Sequence, residues 1–255
     1  MKFFIVITLT ILFCVGTAFS AVDTKGLVMF LPFDEGTGTV AKDKSGNGND
    51  GTITGSVEWV AGKYGKAVRI LDSDPNNFVS VKANATLDVT DQMTFGAWVY
   101  IETPIDGGSC SLMTKADAYM FHMSDWSGKG YEMEPLLWPF DAWQTPISAP
   151  IQLKGWHHVM GTFDGKNLSN YIDGKFINSR AFANKITVTA NDLIIGRDSR
   201  ACCNTRRITQ SIDEVMIFNR ALAANEVKET MAGGGMPVES QGQLANLWGE
   251  IKVGF

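Results

Sequence analysis

The chain has 255 residues, of which 45% are hydrophobic and 19% are charged, a balance typical of a soluble globular domain. Its 22 basic and 27 acidic side chains give a formal net charge of −5. Nucleic-acid binding depends on clustered Lys and Arg, so this acidic composition argues against a nucleic-acid partner.

The first twenty residues have the pattern of a secretory signal peptide. Lys2 precedes an apolar run over residues 3–16, and Ala18 and Ser20 place small residues at positions −3 and −1 before Ala21. The apolar run is too short for a membrane span, and no second run near twenty residues follows it. We therefore expect a secreted protein, extracellular or periplasmic, whose mature chain does not insert into a membrane.

Short β-branched or aromatic runs bounded by turn residues predict strands through most of the mature chain. The alternation over residues 93–101, with Trp98 and Tyr100 on the second side, predicts a sheet that is covered on both faces. Asp173-Gly174 predicts a type I′ hairpin turn, because this turn needs positive φ at both central residues. The predicted strands are 27–33, 67–71, 78–82, 93–102, 156–163, 168–172, 175–179, 186–189, 193–196 and 212–218.

One helix is predicted late in the chain, over residues 223–231. Gly233-Gly234-Gly235 ends it, and Ala223 lacks the side-chain oxygen of an N-cap although Glu226 is well placed for a capping box. We predict a signal peptide at 1–20, one domain at 21–232, and a linker and tail at 233–255. About a dozen strands and a single short late helix indicate an all-β, two-sheet antiparallel jelly-roll sandwich.

Seven short sequence blocks follow one another in a recognisable order. They are Leu27–Gly38 (LVMFLPFDEGTG), Asp43–Gly51 (DKSGNGNDG), Phe95–Val99 (FGAWV), Gly155–Lys166 (GWHHVMGTFDGK), Tyr171–Lys175 (YIDGK), Leu193–Arg197 (LIIGR) and Ser211–Leu222 (SIDEVMIFNRAL). Together they resemble the bacterial laminin-G-like (LamG-like) jelly-roll domains of the concanavalin A-like lectin/glucanase superfamily, over roughly residues 26–232. The resemblance implies two antiparallel sheets and frequent roles in carbohydrate binding or adhesion. It does not imply a particular ligand, because a fold does not determine function.

The segment from Ser124 to Pro150 is long for a connection in such a fold, and long loops in compact domains are usually functional. Aromatic faces accept the apolar side of a sugar ring, so Trp126, Tyr131, Trp138 and Trp143 are candidate carbohydrate-binding residues. Alternatively, these rings pack beneath the loop. Trp98 and Trp156 lie in strand blocks and are expected to be structural. A polysaccharide or other glycan is the expected partner, and a cell-envelope protein on the same face is the alternative.

The superfamily includes glycosidases, which place carboxylates two residues apart on a strand, so we compared the carboxylates of this chain with that pattern. Glu132 and Glu134 are the nearest approximation, but they fall in the expected loop and a third carboxylate in register is missing. His157 and His158 are strand neighbours that point to opposite faces, so they are not expected to act together. We therefore expect no enzyme activity.

A structural calcium ion is implied by relatives that carry one at the rim of the sandwich. Asp43 and Asn49 lie in a glycine-rich loop, Asp213 opens a late strand, and such residues supply the oxygen ligands that Ca²⁺ takes. We predict Asp43, Asn49 and Asp213 as ligands. The alternative is that Asn and Gly occupy turn positions there without an ion.

Three cysteines remain after the predicted cleavage site: Cys110, Cys202 and Cys203. An odd number in a secreted chain indicates one disulfide and one remaining thiol, or an intermolecular bond. We expect Cys110 to pair with Cys202 or Cys203, with a bond between the two adjacent cysteines as the alternative.

Overall fold

The computed structural model describes residues 23–104, 109–125, 131–139, 147–200, 203 and 208–232. The predicted signal peptide and the predicted C-terminal tail lie outside these residues. Within them the chain forms sixteen strands, a short 3-10 turn at Ala85–Leu87, and one α-helix. The strands are β1 (Leu27–Leu31), β2 (Val40–Ala41), β3 (Gly51–Thr54), β4 (Val57–Ala61), β5 (Lys66–Ile70), β6 (Phe78–Val81), β7 (Met93–Ile101), β8 (Ser109–Lys115), β9 (Tyr119–Ser124), β10 (Tyr131–Leu137), β11 (Ala149–Ile151), β12 (Trp156–Phe163), β13 (Asn167–Ile172), β14 (Lys175–Ala181), β15 (Leu193–Ile195) and β16 (Gln210–Phe218); the helix is α1 (Ala224–Thr230).

The strands form two antiparallel sheets, as the sequence predicted. Sheet A has the order β14-β13-β12-β7-β16-β5-β4, and β1 adds to it by pairing with the second half of β16. Sheet B has the order β11-β10-β9-β8-β15-β6-β3-β2. The two hairpins β12-β13 and β13-β14 make the meander that the Asp-Gly turn indicated.

The core lies between the sheets and is built from one side of each strand. In β7 the alternate residues Phe95, Ala97 and Val99 are fully buried in it, and the Phe95 ring lies 5.8 Å from the ring of Phe121 in β9. Each such aromatic or aliphatic side chain contributes about 1.5–3 kcal/mol through burial. Because successive side chains of a strand point to opposite faces, the intervening side chains of sheet A lie on its outer face.

Helix α1 covers one end of the outer face of sheet A. Helix α1 packs there through Val227 onto an apolar cluster that includes Met160, Met216 and Phe218. The Glu226 side chain accepts a hydrogen bond from the Ala223 N–H at 2.8 Å, which is the half of a capping box that an alanine N-cap permits. Next to the helix, Lys63 and Tyr64 cover the Trp98 ring. Past these residues the described part of the chain leaves the face open, and this open end holds the site described below.

Two predicted elements were wrong. The segment expected to be a long loop contains β10 and β11, which extend sheet B. Pro135 lies inside β10, where β11 no longer pairs with it, and proline is tolerated on such an edge. Residues 186–189 are not a strand: Ile186 and Thr187 donate single backbone hydrogen bonds to Thr90 and Trp138, which belong to different parts of the fold.

Candidate functional site

The open end of the outer face of sheet A carries a groove of about 450 Å³. Its residues come from five strands that are neighbours in the sheet, β4, β5, β16, β7 and β12, and from Glu102, which follows the end of β7. The lining residues are Glu58, Val60, Ala61, Arg69, Tyr100, Glu102, Trp156 and Ser211.

Five of these residues stand directly opposite one another across neighbouring strands. Glu58 pairs in register with Arg69, Arg69 with Ser211, Ser211 with Tyr100, and Tyr100 with Trp156. We call this series the cross-strand row. Strands are spaced about 4.8 Å apart, so the row is about 19 Å long. It is therefore long enough to contact more than one unit of a chain-like ligand.

Two aromatic rings form one end of the cross-strand row. The ring centroids of Tyr100 and Trp156 lie 5.7 Å apart with a tilt of 56° between the ring planes. Both side chains are half-buried, so part of each ring surface remains open to solvent. Such rings combine a large apolar surface with a polar atom, which suits them to ligands that have both kinds of surface.

Charged groups form the other end of the row. Arg69 donates from Nε and Nη2 to the two oxygens of Glu102, both at 2.7 Å, and from Nη1 to Oε2 of Glu58 at 2.7 Å. These hydrogen bonds raise the pKa of Arg69 above its ordinary value, and those donated to Glu102 contribute more than the one donated to Glu58. The guanidinium is thus held in a fixed plane by a two-point contact, which orients both carboxylates along the groove.

Comparisons with known proteins agree with this architecture. The profile of the family Laminin_G_3, described as concanavalin A-like lectin/glucanases superfamily, matches residues 71–228, which is more than half of the chain. The chain belongs to this superfamily. A search of curated protein sequences found no match. In the described part of the chain no helix is long and apolar enough to cross a membrane.

Several solved structures share the superfamily fold at low sequence identity. Domain 4 of AbnA, an extracellular arabinanase from Geobacillus stearothermophilus solved with arabinotriose, is 20% identical with a TM-score of 0.57; the match covers 80% of this chain and 98% of that one. The binding domain of Paraclostridial Mosquitocidal Protein 1 is 19% identical with a TM-score of 0.61, covering 81% and 52% of the two chains. Trypanosoma rangeli sialidase is 16% identical with a TM-score of 0.57, covering 87% and 35%. This chain thus spans about half of the toxin domain and a third of the sialidase.

The predicted carbohydrate-binding aromatics do not gather at the groove. Tyr131 begins β10 and packs against the core, while Trp138 follows the end of β10 and packs on Met120 and Leu136. Seven residues of strand separate the two rings by about 23 Å, so they cannot stack on the same sugar. Trp126 and Trp143 lie outside the described residues, and their role stays a prediction.

The predicted calcium ligands do not assemble into one site. Oδ1 of Asp43 accepts the N–H groups of Phe30 and Ser45, and Oδ2 accepts the Ser45 hydroxyl and the Asn49 N–H, all within 3.0 Å. These four donors occupy the four lone-pair positions of the carboxylate, which organises the loop through hydrogen bonds. No group of three His, Cys, Asp or Glu side chains within the described ranges could hold a metal.

Asp213 belongs to different surroundings from the Asp43 loop. It is fully buried in β16, and its Oδ2 accepts the N–H of Tyr64 at 3.0 Å. Burial, together with the charge of Asp34, raises the pKa of Asp213 to about 7. The three predicted residues thus do not fit a shared calcium site, and calcium binding elsewhere stays a prediction.

The carboxylate pair compared with glycosidases lies on β10 rather than in a loop, and it is engaged in structure. Glu134 is almost fully buried; its Oε2 accepts the N–H of Ile147 at 3.1 Å and lies 3.6 Å from Nη1 of Arg180. Desolvation raises the pKa of Glu134. Glu132 accepts a hydrogen bond from the Ser148 hydroxyl at 3.2 Å. Both carboxylates therefore contribute to local packing of sheet B.

The two adjacent histidines have separate partners, as strand neighbours on opposite faces should. Nδ1 of His157 lies 2.9 Å from Oδ2 of Asp173, whereas Nε2 of His158 lies 3.4 Å from the hydroxyl of Thr230, the last residue of α1. Burial lowers the pKa of His158 to about 3, so this imidazole is neutral at physiological pH. Neither arrangement includes a nucleophile or a metal-ligand set.

The predicted pairing of Cys110 is wrong. Cys110 is fully buried among the core residues of β8 and keeps its thiol, whose Sγ lies 3.8 Å from the Ser111 carbonyl. Burial raises the pKa of this thiol to about 12. Cys203 is disulfide-bonded. Cys202 lies outside the described residues, so the bond between the adjacent cysteines stays a prediction.

Sequence reasoning missed the groove because its members look structural one at a time. The alternation in β7 correctly places Tyr100 on the second face of the sheet, and Trp156 was assigned to the framework because it lies in a strand block. Which residues stand opposite one another depends on strand order and register. Strand order and register make neighbours of residues 58, 69, 100, 156 and 211, and neither can be deduced from the local sequence around each residue.

Proposed function

We propose that this chain is a secreted, non-catalytic carbohydrate-binding domain and that the cross-strand row holds the glycan. The observation that carries the proposal is the Tyr100–Trp156 pair beside a fixed Arg69–carboxylate group on an open sheet face. Apolar platforms with a few oriented polar groups are the usual composition of small-ligand sites. A pyranose or furanose ring has this same division between apolar C–H faces and peripheral hydroxyls.

The two ends of the row would make different contacts with a saccharide. The exposed parts of the Tyr100 and Trp156 rings would pack on C–H faces of the sugar. Glu58, half of whose side chain is exposed, would accept hydrogen bonds from hydroxyl groups. Ser211, between the two ends, supplies a hydroxyl that can donate or accept. A linear oligosaccharide lying across the strands would reach both ends.

The contacts of the groove carboxylates support binding without catalysis. A glycosidase needs one carboxylic acid that donates a proton and a second carboxylate that attacks or activates water. Both oxygens of Glu102 and one oxygen of Glu58 accept hydrogen bonds from Arg69 instead, so these carboxylates are engaged with a guanidinium rather than placed as a proton donor and a nucleophile. The solved complex of the AbnA domain with arabinotriose adds support for a glycan as partner.

A glycan-array screen of the full chain tests the proposal, with Trp156→Ala as the decisive variant. We expect saturable binding to at least one glycan and a loss of at least tenfold in affinity in the variant, equivalent to about 1.4 kcal/mol. Phe176→Ala is the matched control, because Phe176 is an exposed aromatic on the edge strand β14, outside the groove lining. Repeating the screen in chelator tests whether calcium contributes.

Each result of this screen has a definite meaning. A folded protein that binds no glycan refutes the proposal and directs attention to cell-envelope proteins as partners. Glycan binding that survives Trp156→Ala refutes the groove as the site and favours the aromatics of residues 124–150. Equal losses in Trp156→Ala and Phe176→Ala would also refute the groove, since the contact would then not be specific to it.

A further inference from the structure

We infer that the groove selects glycans by charge: it favours a sugar carrying an ammonium group over its neutral counterpart and rejects a sugar carboxylate. This inference rests on the proposed carbohydrate-binding function and adds the chemical class of the ligand. The reason is that Arg69 already donates hydrogen bonds to protein carboxylates, whereas Glu58 still has an oxygen that a ligand can reach.

The groove has a negative formal charge. Its lining contains two carboxylates, Glu58 and Glu102, and one guanidinium, Arg69, which sum to −1. The remaining five lining residues are Val60, Ala61, Tyr100, Trp156 and Ser211, none of which carries a charge at neutral pH. A ligand in the groove therefore meets an excess of one negative charge.

Among the described lining residues, the one cation, Arg69, already donates hydrogen bonds to protein carboxylates. All three nitrogens of Arg69 donate to Glu58 or Glu102 at 2.7 Å, and the contact to Glu102 uses both of its oxygens. An arginine that recognises an acidic ligand normally offers this two-point contact to the ligand. A uronic or sialic acid would have to share the guanidinium with both protein carboxylates, and would face these two like charges.

Glu58 supplies the open acceptor. Only its Oε2 is used by Arg69, and its side chain is 52% exposed, against 25% for Glu102. A sugar hydroxyl can donate to the second oxygen of Glu58, but an ammonium group makes a charge-assisted hydrogen bond to the same atom. Because Glu58 and the aromatic rings lie at opposite ends of the cross-strand row, the rings stay free to hold another sugar unit further along the same chain.

The expected preference is modest because Glu58 is half exposed. Ion pairs at exposed positions change binding by about two- to fivefold, and salt screens them. We therefore expect an amino sugar to bind about two- to fivefold more tightly than its N-acetylated form at low ionic strength. In 0.5 M salt the ratio should approach one.

The test uses three probes of equal length at pH 6: a glucosamine tetramer, its fully N-acetylated counterpart, and tetragalacturonate. Calorimetric titration of the full chain should rank their affinities in that order, with no measurable binding of tetragalacturonate. In Glu58→Gln we expect the affinity ratio of the glucosamine tetramer to the N-acetylated tetramer to fall to about one, because the amide oxygen still accepts from a hydroxyl group but carries no charge. Asp117→Asn is the matched control, because it removes an exposed carboxylate from the β8–β9 turn of the other sheet and should leave the ranking unchanged.

Failure of this inference can be told from failure of the proposed function. Equal affinity for the glucosamine and N-acetylated tetramers, or tighter binding of tetragalacturonate, overturns charge selection and leaves carbohydrate binding intact. So does a glucosamine tetramer that fails to bind while a neutral glycan on the array binds. A preference that persists in Glu58→Gln overturns the role of Glu58, and absence of binding to every saccharide overturns both proposals.

Discussion

Asp213→Asn measures how much stability the fold loses by burying a carboxyl group. One oxygen of Asp213 accepts the Tyr64 N–H, and the other, Oδ1, has no hydrogen-bond partner among the described residues. Burial, with a smaller contribution from Asp34, raises its pKa to about 7. A neutral amide of the same shape removes the desolvated charge and keeps an acceptor for Tyr64.

The sign of the pH dependence follows from the direction of this shift. At pH 5 the native state holds a proton on Asp213 that the unfolded chain, with a pKa near 3.9, has largely released. The stability gained from this proton is fully present below about pH 4 and is lost as the pH rises through 7. A shift of about three pKa units corresponds to roughly 4 kcal/mol in total, of which roughly 2.6 kcal/mol falls between pH 5 and pH 8.

Urea unfolding followed by tryptophan fluorescence at pH 5, 6, 7 and 8 provides the assay, with free energies from linear extrapolation. Relative to the parent, Asp213→Asn should gain up to about 1.4 kcal/mol per pH unit between pH 5 and 6.5. Chelator is present throughout, because a bound cation would reverse the electrostatic argument. Asp117→Asn should follow the parent curve. The reasoning is refuted if Asp213→Asn and the parent show parallel pH profiles.

Two further substitutions test the packing of the sheets by their unfolding free energies. Gly96→Ala should lower the free energy of unfolding by about 1–3 kcal/mol, because the new Cβ would overlap a backbone carbonyl of the adjacent strand. Gly155→Ala is the control, because a Cβ there has room. Equal effects of the two substitutions would contradict close packing at Gly96. Glu134→Gln should cost about 1–3 kcal/mol, because it weakens the contacts to Arg180 and Ile147 while relief of the desolvated charge offsets part of that loss, and Glu132→Gln should cost less than about 1 kcal/mol. Similar stability of the two Gln variants would contradict a structural role for Glu134.

The fold was readable from the sequence where local pattern and tertiary context agree. Alternation in β7 and the Asp173-Gly174 turn each specify a strand or hairpin through interactions between near neighbours, and both predictions were confirmed. The prediction failed for β10, because proline and glutamate are poor strand residues in isolation. There the environment compensates: Glu134 is buried beside Arg180, and Pro135 lies on an edge.

The candidate site was harder to predict than the fold, because the residues of a site are brought together by contacts between strands that are distant in sequence. Asp43 and Asn49 were correctly placed in one loop, because they are close in sequence, but the loop satisfies its own carboxylate. Asp213 was grouped with them by chemical type, although the register of β16 places it elsewhere. Side-chain chemistry predicts what a residue can bind, whereas long-range register determines which residues meet.

The cross-strand row also ties ligand binding to the cooperativity of unfolding. Its five members are contributed by strands that span more than 150 positions of the chain, and each strand contributes one residue. Detachment of any one strand therefore removes part of the contact surface, so partly unfolded states should bind poorly. A ligand present at one hundred times its dissociation constant would then raise the free energy of opening sheet A by about 2.7 kcal/mol. Hydrogen-exchange protection across all five strands would rise together, which makes ligand binding a reporter of whether these five strands are in place.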